Sequence, residues 1–377
     1  MTQDWIPYGR QSINDDDIAA VGATLKSEWL TTGPAVESFE TALAGVTGSP
    51  TIAVSSGTAA LHAAYFAAGV GPGTEVIVPP LTFVATAAAA VHLGATIRFA
   101  DVRSDTLNLD PEAVTEMATA ATKVISPVDY AGHPADLDEI MAIASEIGAM
   151  VMEDASHSLG ATYRGRKVGS IADLTVFSFH PVKLITTGEG GAIASTDAGL
   201  LDHARRFRNH GLVRDTAEHL IPDQGEWHQE VHLLGLNYRL PDPLAALGES
   251  QLNRLGSFQE RRSHLAGRYT QLLSSVEGIE LPITLAGSDH GWHLYVIRVK
   301  EGRRREVFDK MRANGIGVQV HYLPVHLHPA FADQGYQRGM CPVAEQAYEE
   351  VLSLPLYPDL TEEMQDRVVA ELDSALA

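Results

Sequence analysis

The chain has 377 residues, of which 45% are hydrophobic and 20% charged, which is ordinary for a protein with two sizeable folded domains. Its net charge of -21 argues against nucleic acid, which binds to a basic face. Because Cys341 is the only cysteine and no run of about 18 apolar residues occurs, we expect a cytoplasmic protein that has no intrachain disulfide and spans no membrane.

The first part of the chain alternates between predicted helices and short apolar strands. INDDDIAAVGATLKSEWL predicts a helix capped near Asn14, with Ile18, Val21 and Leu25 on one face. The elements that follow are TIAVSS, GTAALHAAYFAAG, EVIVPP, FVATAAAAVHLG, TIRFAD, a helix from about Pro111, TKVISPVD, LDEIMAIASEIG and AMVMED. This alternation predicts an α/β fold in which helices cover both faces of a mainly parallel sheet.

The pattern changes after the segment GAIAST. A long helical stretch is predicted through PDPLAALGESQLNRLGSFQERRSHLAGRYTQLLSSV, followed by a strand in HLYVIRV, a helix in RREVFDKMRANG and a strand in GVQVHY. We therefore predict a large domain over residues 1–250 and a smaller C-terminal α/β domain over residues 251–377.

Several chemically useful groups fall at predicted strand ends, the edge at which open α/β sheets bind ligands. Asp154 ends the strand AMVMED, although a lone acid there could simply cap the next helix. Gly57 and Thr58 begin a helix straight after a strand, where free backbone N–H groups can bind a phosphate. Lys183 follows the buried strand DLTVFSFH, which ends near the hydroxyl of Ser178. An amine at such a position costs free energy unless it is paired or used covalently.

Together these groups are what pyridoxal 5'-phosphate (PLP) requires. A lysine forms a Schiff base with the aldehyde, an aspartate keeps the ring nitrogen protonated so that the ring accepts electrons, and a cradle binds the phosphate. Phe83, at another strand end in PLTFVAT, could stack on the ring or be an ordinary core residue. The sequence therefore predicts PLP as the cofactor, with Lys183 and Asp154 as the catalytic residues.

The order of several segments carries a resemblance to a known family. SSGTAALH, PLTFVAT, EDASHSLGA, FSFHPVKLITTGEGG, GLNYRL and QVHYLP resemble the PLP-dependent nucleotide-sugar aminotransferases of fold type I over nearly the whole chain. The resemblance implies a homodimer with active sites at the subunit interface. It also implies that His157 contacts the ring hydroxyl and that Asn237 reaches the phosphate held by the neighbouring subunit. Gly57, Thr58 and Ser178 match the phosphate cradle of the family.

Within the family the chain is most similar to the transaminases of pseudaminic acid biosynthesis, which make UDP-4-amino-4,6-dideoxy-N-acetyl-β-L-altrosamine from a UDP-4-keto sugar. The segments IPYGRQSI, SEWLTTGP, VDYAGHPADLD and VQVHYLPVH carry this similarity. It implies glutamate as the amino donor and a nucleotide sugar as the acceptor. The implied contacts to that sugar are made by Tyr8, Glu28, Trp29, Leu30, Thr31, Val320, His321, Tyr322 and Leu323. Aminotransferases for other UDP- or dTDP-linked keto sugars share some of these segments and remain an alternative.

The same residues give less support to other classes of function. His321, His326 and His328 lie close together in the sequence, but no cysteine or acid pair accompanies them, so we expect no metal. A sugar dehydratase on the same fold is disfavoured because such relatives carry a histidine where this chain has Lys183. A PLP-binding regulator is disfavoured by the intact catalytic groups and the missing basic face.

Overall fold

The computed structural model describes residues 5–222 and 224–377. Its helices are α1 (Asp15–Leu25), α2 (Pro34–Thr47), α3 (Gly57–Ala67), α4 (Ala85–His92), α5 (Pro111–Met117), α6 (Leu137–Ile147), α7 (Ala198–Phe207), α8 (Asp242–Leu252), α9 (Leu255–Leu273), α10 (Arg304–Ala313), α11 (Pro329–Ala332), α12 (Pro342–Glu350) and α13 (Glu362–Leu376). Its strands are β1 (Thr51–Val54), β2 (Glu75–Val78), β3 (Thr96–Phe99), β4 (Thr122–Ile125), β5 (Met150–Asp154), β6 (Thr162–Tyr163), β7 (Arg166–Lys167), β8 (Leu174–Ser178), β9 (Gly191–Ala194), β10 (Leu212–Val213), β11 (Glu230–Val231), β12 (Ile279–Glu280), β13 (Ser288–Asp289), β14 (Tyr295–Val299) and β15 (Val351–Leu354).

The central sheet of the described chain has seven strands in the order β1-β9-β8-β5-β4-β2-β3. Neighbours from β3 to β8 in this order pair in parallel. Only β9 runs against its two neighbours, β1 and β8. The predicted α/β fold with a mainly parallel sheet is therefore confirmed.

Alternate residues of the central strands pack on opposite faces of this sheet. Val76 and Val124 belong to a core cluster that includes residues of α3, α4 and α7. The next residues along the same strands, Ile77 and Ile125, belong to a different cluster with Ile140 of α6. This alternation follows from the two-residue period of a strand. It confirms the prediction that helices cover both faces of the sheet.

Helix α1 is present and capped by Asn14 as predicted, but its apolar residues do not pack into the core. Ile18 is 63% exposed and Leu25 is 60% exposed, so the described chain leaves most of the predicted apolar face uncovered. The buried residue of this helix is Asp17, whose carboxylate forms an ion pair with Arg254 and accepts a hydrogen bond from Gln251 (2.7 Å). Helical periodicity identifies an apolar face, but it does not tell which protein surface covers that face.

The C-terminal part of the chain differs from its prediction in two places. The expected long helix is broken into α8 and α9, because Arg254 leaves helical geometry at φ -104° and ψ 0°. The expected strand GVQVHY was wrong. There the Val318 amide donates to the Ile316 carbonyl in a tight turn, and only Gln319 pairs with Ser353 of β15.

A second core lies around β12, β14 and β15. These strands form an antiparallel sheet, and residues of α9, α10 and α13 join Tyr295 and Leu352 in one hydrophobic cluster. Ile6, near the beginning of the chain, is part of the same cluster. The division into domains 1–250 and 251–377 falls within α8 and stays a prediction. No helix of the described residues is both long and apolar enough to cross a membrane.

Candidate active site

A cavity of about 410 Å³ lies at the carboxyl ends of the parallel strands. Ser178 ends β8 and Asp154 ends β5, while Gly57 begins the helix that follows β1. Of the residues predicted from the sequence, the cavity is lined by Tyr8, Gly57, Thr58, Phe83, Asp154, His157, Ser178, Lys183, His321 and Tyr322. The fold thus brings into one place groups that are up to 314 residues apart in the sequence.

The first turn of α3 provides an anion cradle. Ser56 caps this helix, and its hydroxyl accepts a hydrogen bond from the Ala59 amide (3.0 Å). The amides of Gly57 and Thr58 find no acceptor among residues 5–222 and 224–377, as expected for the first positions of a helix that faces a ligand. A Cβ atom on Gly57 would lie 2.9 Å from Cβ of Ser178. Glycine therefore allows helix and strand to approach closely enough for both to face one phosphate.

The carboxylate of Asp154 is held in a fixed orientation at the bottom of the cavity. Its Oδ2 accepts a hydrogen bond from the Thr86 hydroxyl (2.8 Å), and its Oδ1 accepts from the amide (3.2 Å) and hydroxyl (2.6 Å) of Ser156. Thr82 in turn contacts Thr86, hydroxyl to hydroxyl, at 2.9 Å. These contacts keep a charged oxygen facing the cavity, which is what a partner for a protonated ring nitrogen requires.

Lys183 lies in the loop after β8, where its amide donates to the His180 carbonyl (2.9 Å). Burial lowers the pKa of its amine to about 8, although the negative charge of Asp154 acts in the opposite direction. An unperturbed lysine titrates at about 10.4, so this amine loses its proton far more readily than a surface lysine. A neutral amine is the form that attacks an aldehyde and that accepts a proton.

His157, His293 and Tyr322 provide three aromatic side chains that line the cavity. His157 is buried, and its Nε2 lies 3.3 Å from the Tyr322 hydroxyl. Burial holds the pKa of His157 well below its usual range, and the nearby charge of Lys183 lowers it further, so the imidazole is neutral. The ring of His293 lies 4.4 Å from that of His157. Within the described residues, Nδ1 of His157 has no hydrogen-bond partner, so it is free for a ligand.

The remaining cavity residues form its entrance. Phe83 is 58% exposed, and its ring lies 6.2 Å from that of Tyr322. Tyr8 packs against His321 at 5.4 Å between ring centroids. Burial lowers the pKa of His321 to about 3, and its Nδ1 contacts the Ser353 hydroxyl at 2.8 Å. Their roles in stacking on the cofactor and in sugar binding stay predictions.

Seven of the predicted contact residues lie outside this cavity. Val320 and Leu323 flank the two residues that do line it. The segment Glu28–Thr31 is exposed, and Thr31 pairs with Pro241 in an isolated bridge. Asn237, four residues before that proline, is exposed as well. Glu28–Thr31 and Asn237 therefore lie at the surface and do not line their own chain's cavity.

The sequence reasoning missed residues that complete the site. Thr86 and Ser156 orient Asp154, and His293 packs against His157. Ser156 could have been found, because a serine two residues after an aspartate often closes a local hydrogen-bonded turn. Thr86 lies 68 residues from Asp154, so only the fold shows that they meet.

The residues present fit PLP on structural grounds. One cavity is lined by the α3 cradle, by a carboxylate that hydrogen bonds hold in place, by an imidazole with one nitrogen unpartnered in the described chain, and by an amine of lowered pKa. With the mainly parallel sheet, this set defines a PLP-dependent enzyme of fold type I.

Comparison with known proteins gives the family. A match to the DegT/DnrJ/EryC1/StrS aminotransferase family covers residues 11–373, and the chain belongs to this family of PLP-dependent sugar aminotransferases. The spore coat polysaccharide biosynthesis protein SpsC of Bacillus subtilis (strain 168) is 40% identical over 372 residues, which is 97% of this chain and 95% of that protein.

Solved structures agree with this assignment. The putative sugar aminotransferase Spr1654 from Streptococcus pneumoniae, in its PMP-form, is 30% identical with a TM-score of 0.93, over 98% of each chain. Its PLP-form has a TM-score of 0.92. Helicobacter pylori PseC, an aminotransferase involved in the biosynthesis of pseudoaminic acid, is 28% identical with a TM-score of 0.92, over 98% of this chain and 99% of that one.

We predict that Gly57→Ala weakens PLP binding by roughly tenfold or more, since overpacking of this kind costs about 1–3 kcal/mol. The added methyl group would collide with Ser178 and open the cradle. Titration of the apo-protein with PLP measures the affinity. Gly45→Ala is the matched control, because it adds the same methyl group inside α2 where no atom lies within 4 Å. Equal affinities for the two variants would contradict the assignment of the cradle.

We also predict that the Lys183 amine of the apo-protein becomes reactive near pH 8. Because of its lowered pKa, the protonated, unreactive form of the amine disappears as the pH rises through about 8. The free ε-amine of an Nα-acetyl-lysine reference becomes reactive only at a higher pH. Trace acetylation at a series of pH values, followed by peptide mass analysis, gives the midpoint. Asp154→Asn should move this midpoint to lower pH, because it removes the charge that favours the protonated amine. A midpoint equal to that of the reference would contradict the burial of this amine.

Proposed function

We propose that this sugar aminotransferase moves an amino group from glutamate to carbon 4 of a UDP-linked 4-keto-6-deoxy-N-acetylhexosamine, in a pathway of the pseudaminic acid type. The aminotransferase chemistry rests on one observation, the convergence of Lys183, Asp154 and the α3 cradle on a single cavity. The choice of sugar rests on the segments shared with transaminases of that pathway and on the similarity to PseC.

The residues of the cavity have different roles in the reaction. PLP, when bound, supplies an aldehyde that carries the amino group and a ring that accepts electrons. Asp154, fixed by Thr86 and Ser156, holds a proton on the ring nitrogen. Lys183 would bind the aldehyde when the cofactor is loaded, and its free amine would be the base that moves a proton from the substrate carbon during amine transfer. Its lowered pKa suits this exchange near neutral pH.

The same residues explain how the substrate is held. His157 and Tyr322 form a polar wall, and Tyr8 and His321 lie at the entrance where a hexose would bind. The keto group must face Lys183, so the nucleotide extends outward past Phe83 toward the protein surface. Its binding groups therefore lie outside the cavity of a single chain.

A second copy of the chain is the source of those groups. Trp29 and Leu30 are each more than half exposed, and so are Ile18 and Leu25 of α1. Exposed apolar surface of this kind is typical of protein interfaces. Asn237 is exposed as well, four residues before the Pro241 that pairs with Thr31. We propose that both segments complete the active site of the partner subunit.

The substrate assignment is tested with a panel of keto sugars. The enzyme is incubated with glutamate and with UDP- or dTDP-linked 4-keto-6-deoxy sugars, and products are identified by mass spectrometry and NMR. We expect a 4-amino product with the UDP-linked N-acetylhexosamine, a kcat/KM for it at least about tenfold higher than for dTDP sugars, and no product with Lys183→Ala. Amination at carbon 3, or a preference for dTDP sugars, would contradict the substrate. Loss of a hydroxyl without amine transfer would contradict the reaction itself.

The shared site predicts complementation between two inactive variants. Lys183→Ala lacks the catalytic amine, and Asn237→Ala lacks a predicted hydrogen bond to the phosphate of the partner's cofactor, which should impair it substantially. In a mixed dimer one site carries both intact residues and the other carries both defects. Activity after subunit exchange should therefore rise toward one working site per mixed dimer.

Fluorescent labels on the two variants verify that subunits have exchanged. Each variant mixed with itself is the control and should stay inactive. Verified exchange without recovered activity, or full activity of a monomer at high dilution, would show that Asn237 acts within its own chain.

A further inference from the structure

A second group of reactive side chains lies outside the active-site cavity, in the segment between α7 and α8. In the sequence HQEVH, His228 and His232 lie two residues to either side of Glu230 in strand β11, and both side chains contact its carboxylate. Strand β10 pairs with β11, with Val213 opposite Glu230. His219 reaches the group from the other side, with its Nε2 3.3 Å from the Val213 carbonyl.

The three groups His219, His228 and Glu230 converge closely. One ligand atom from each lies within 4.8 Å of the others. The rings of His219 and His228 are 5.0 Å apart and perpendicular. Nε2 of His228 lies 3.1 Å from one carboxylate oxygen of Glu230, and Nε2 of His232 lies 2.6 Å from the other. Both histidines of the close trio are half-buried, which leaves a path for a small ion from solvent.

Glu230 is a nearly buried carboxylate without a permanent cation beside it. It is 6% exposed, and its ion-pair partners in the described chain are histidines alone. The amides of Leu220 and Ile221 each donate to it at 2.8 Å. These hydrogen bonds fix the carboxylate in a position where both of its oxygens also face imidazole nitrogens.

We propose that His219, His228 and Glu230 bind one divalent transition-metal ion of the zinc type, with His232 as a further ligand or as support for the carboxylate. Two imidazoles and a carboxylate are a donor set that zinc and its neighbours favour over calcium or magnesium. Zinc–nitrogen bonds of about 2.0–2.1 Å require the ligand atoms to move together by roughly 1 Å. A segment with so little regular structure can accommodate this shift.

The proposed metal would act on the position of a loop rather than on the chemistry. The cluster joins residues 219 and 228–232, and Asn237 follows five residues later. A metal that cross-links the two sides of this segment would fix the chain that leads to Asn237. The proposed ligands are not among His321, His326 and His328, the histidines that lie close together in the sequence. In the structure His326 bonds to Glu345 and His321 to Ser353, so these histidines do not converge.

Direct metal binding by the tag-free, PLP-loaded enzyme tests the proposal. The protein is treated with a chelator, exchanged into metal-free buffer and dialysed against Zn²⁺, and bound zinc is counted per chain. We expect one zinc per chain, and an affinity at least about tenfold weaker in His219→Gln and in His228→Gln. Co²⁺ in place of Zn²⁺ should add visible absorption bands that both variants lose.

His264→Gln is the matched control. Nε2 of His264 lies 3.1 Å from a Glu362 oxygen, the same distance as in the His228–Glu230 pair, but no third ligand is nearby in the described chain. This variant should bind zinc like the unmodified protein. Zinc should also protect His219 and His228 of the unmodified enzyme from modification by diethyl pyrocarbonate, which requires no variant to fold.

Three results would overturn the proposal. They are less than one zinc bound per chain at saturation, equal binding by His228→Gln and the unmodified protein, and no protection of His219 and His228. Each of these results would mean that Glu230 only stabilises the loop through its hydrogen bonds. None of them depends on which sugar the enzyme uses, so the test stands apart from that of the proposed function.

Discussion

The active site depends on keeping the amine of Lys183 and the carboxylate of Asp154 together in one cavity. Burial lowers the pKa of Lys183 to about 8, although the negative charge of Asp154 acts in the opposite direction. Asp154 stays in place because Thr86 and Ser156 donate three hydrogen bonds to it. A parallel sheet makes this arrangement possible, since its strands all end at the same edge.

Behind Asp154 lies a second layer of acidic residues that supports this charge pattern. Asp129 and Glu153 are both fully buried. Burial raises the pKa of Asp129 to about 7 and that of Glu153 well above its usual range, and the charge of Asp129 raises the latter further. Both buried acids therefore keep their protons to higher pH than exposed ones do, which limits the repulsion between them and Asp154.

The chemistry-bearing residues could be predicted from the sequence because each has a local signature. Lys183 and Gly57 follow short apolar strands, and Asp154 ends one. Because parallel strands end at the same edge of a sheet, these residues can be expected to lie close together even when the strand order is unknown. Thr86 could not be predicted in this way, because its contact with Asp154 spans 68 residues. The order of the strands, with β9 antiparallel between β1 and β8, likewise depends on long-range pairing.

The errors have a common physical origin, which is that local pattern does not determine what covers a surface. The sequence predicts one apolar face on α1, yet Asp17 is the residue that docks the helix, through Arg254 and Gln251. The helix is thus held by polar contacts while Ile18 and Leu25 remain exposed. Under the dimer proposed above, these exposed side chains would lie against the partner subunit. Asn237 likewise does not line its own chain's cavity, so its proposed contact with a phosphate requires a second chain. A periodic pattern within one chain carries no information about such a contact, because the surface that completes it belongs to another molecule.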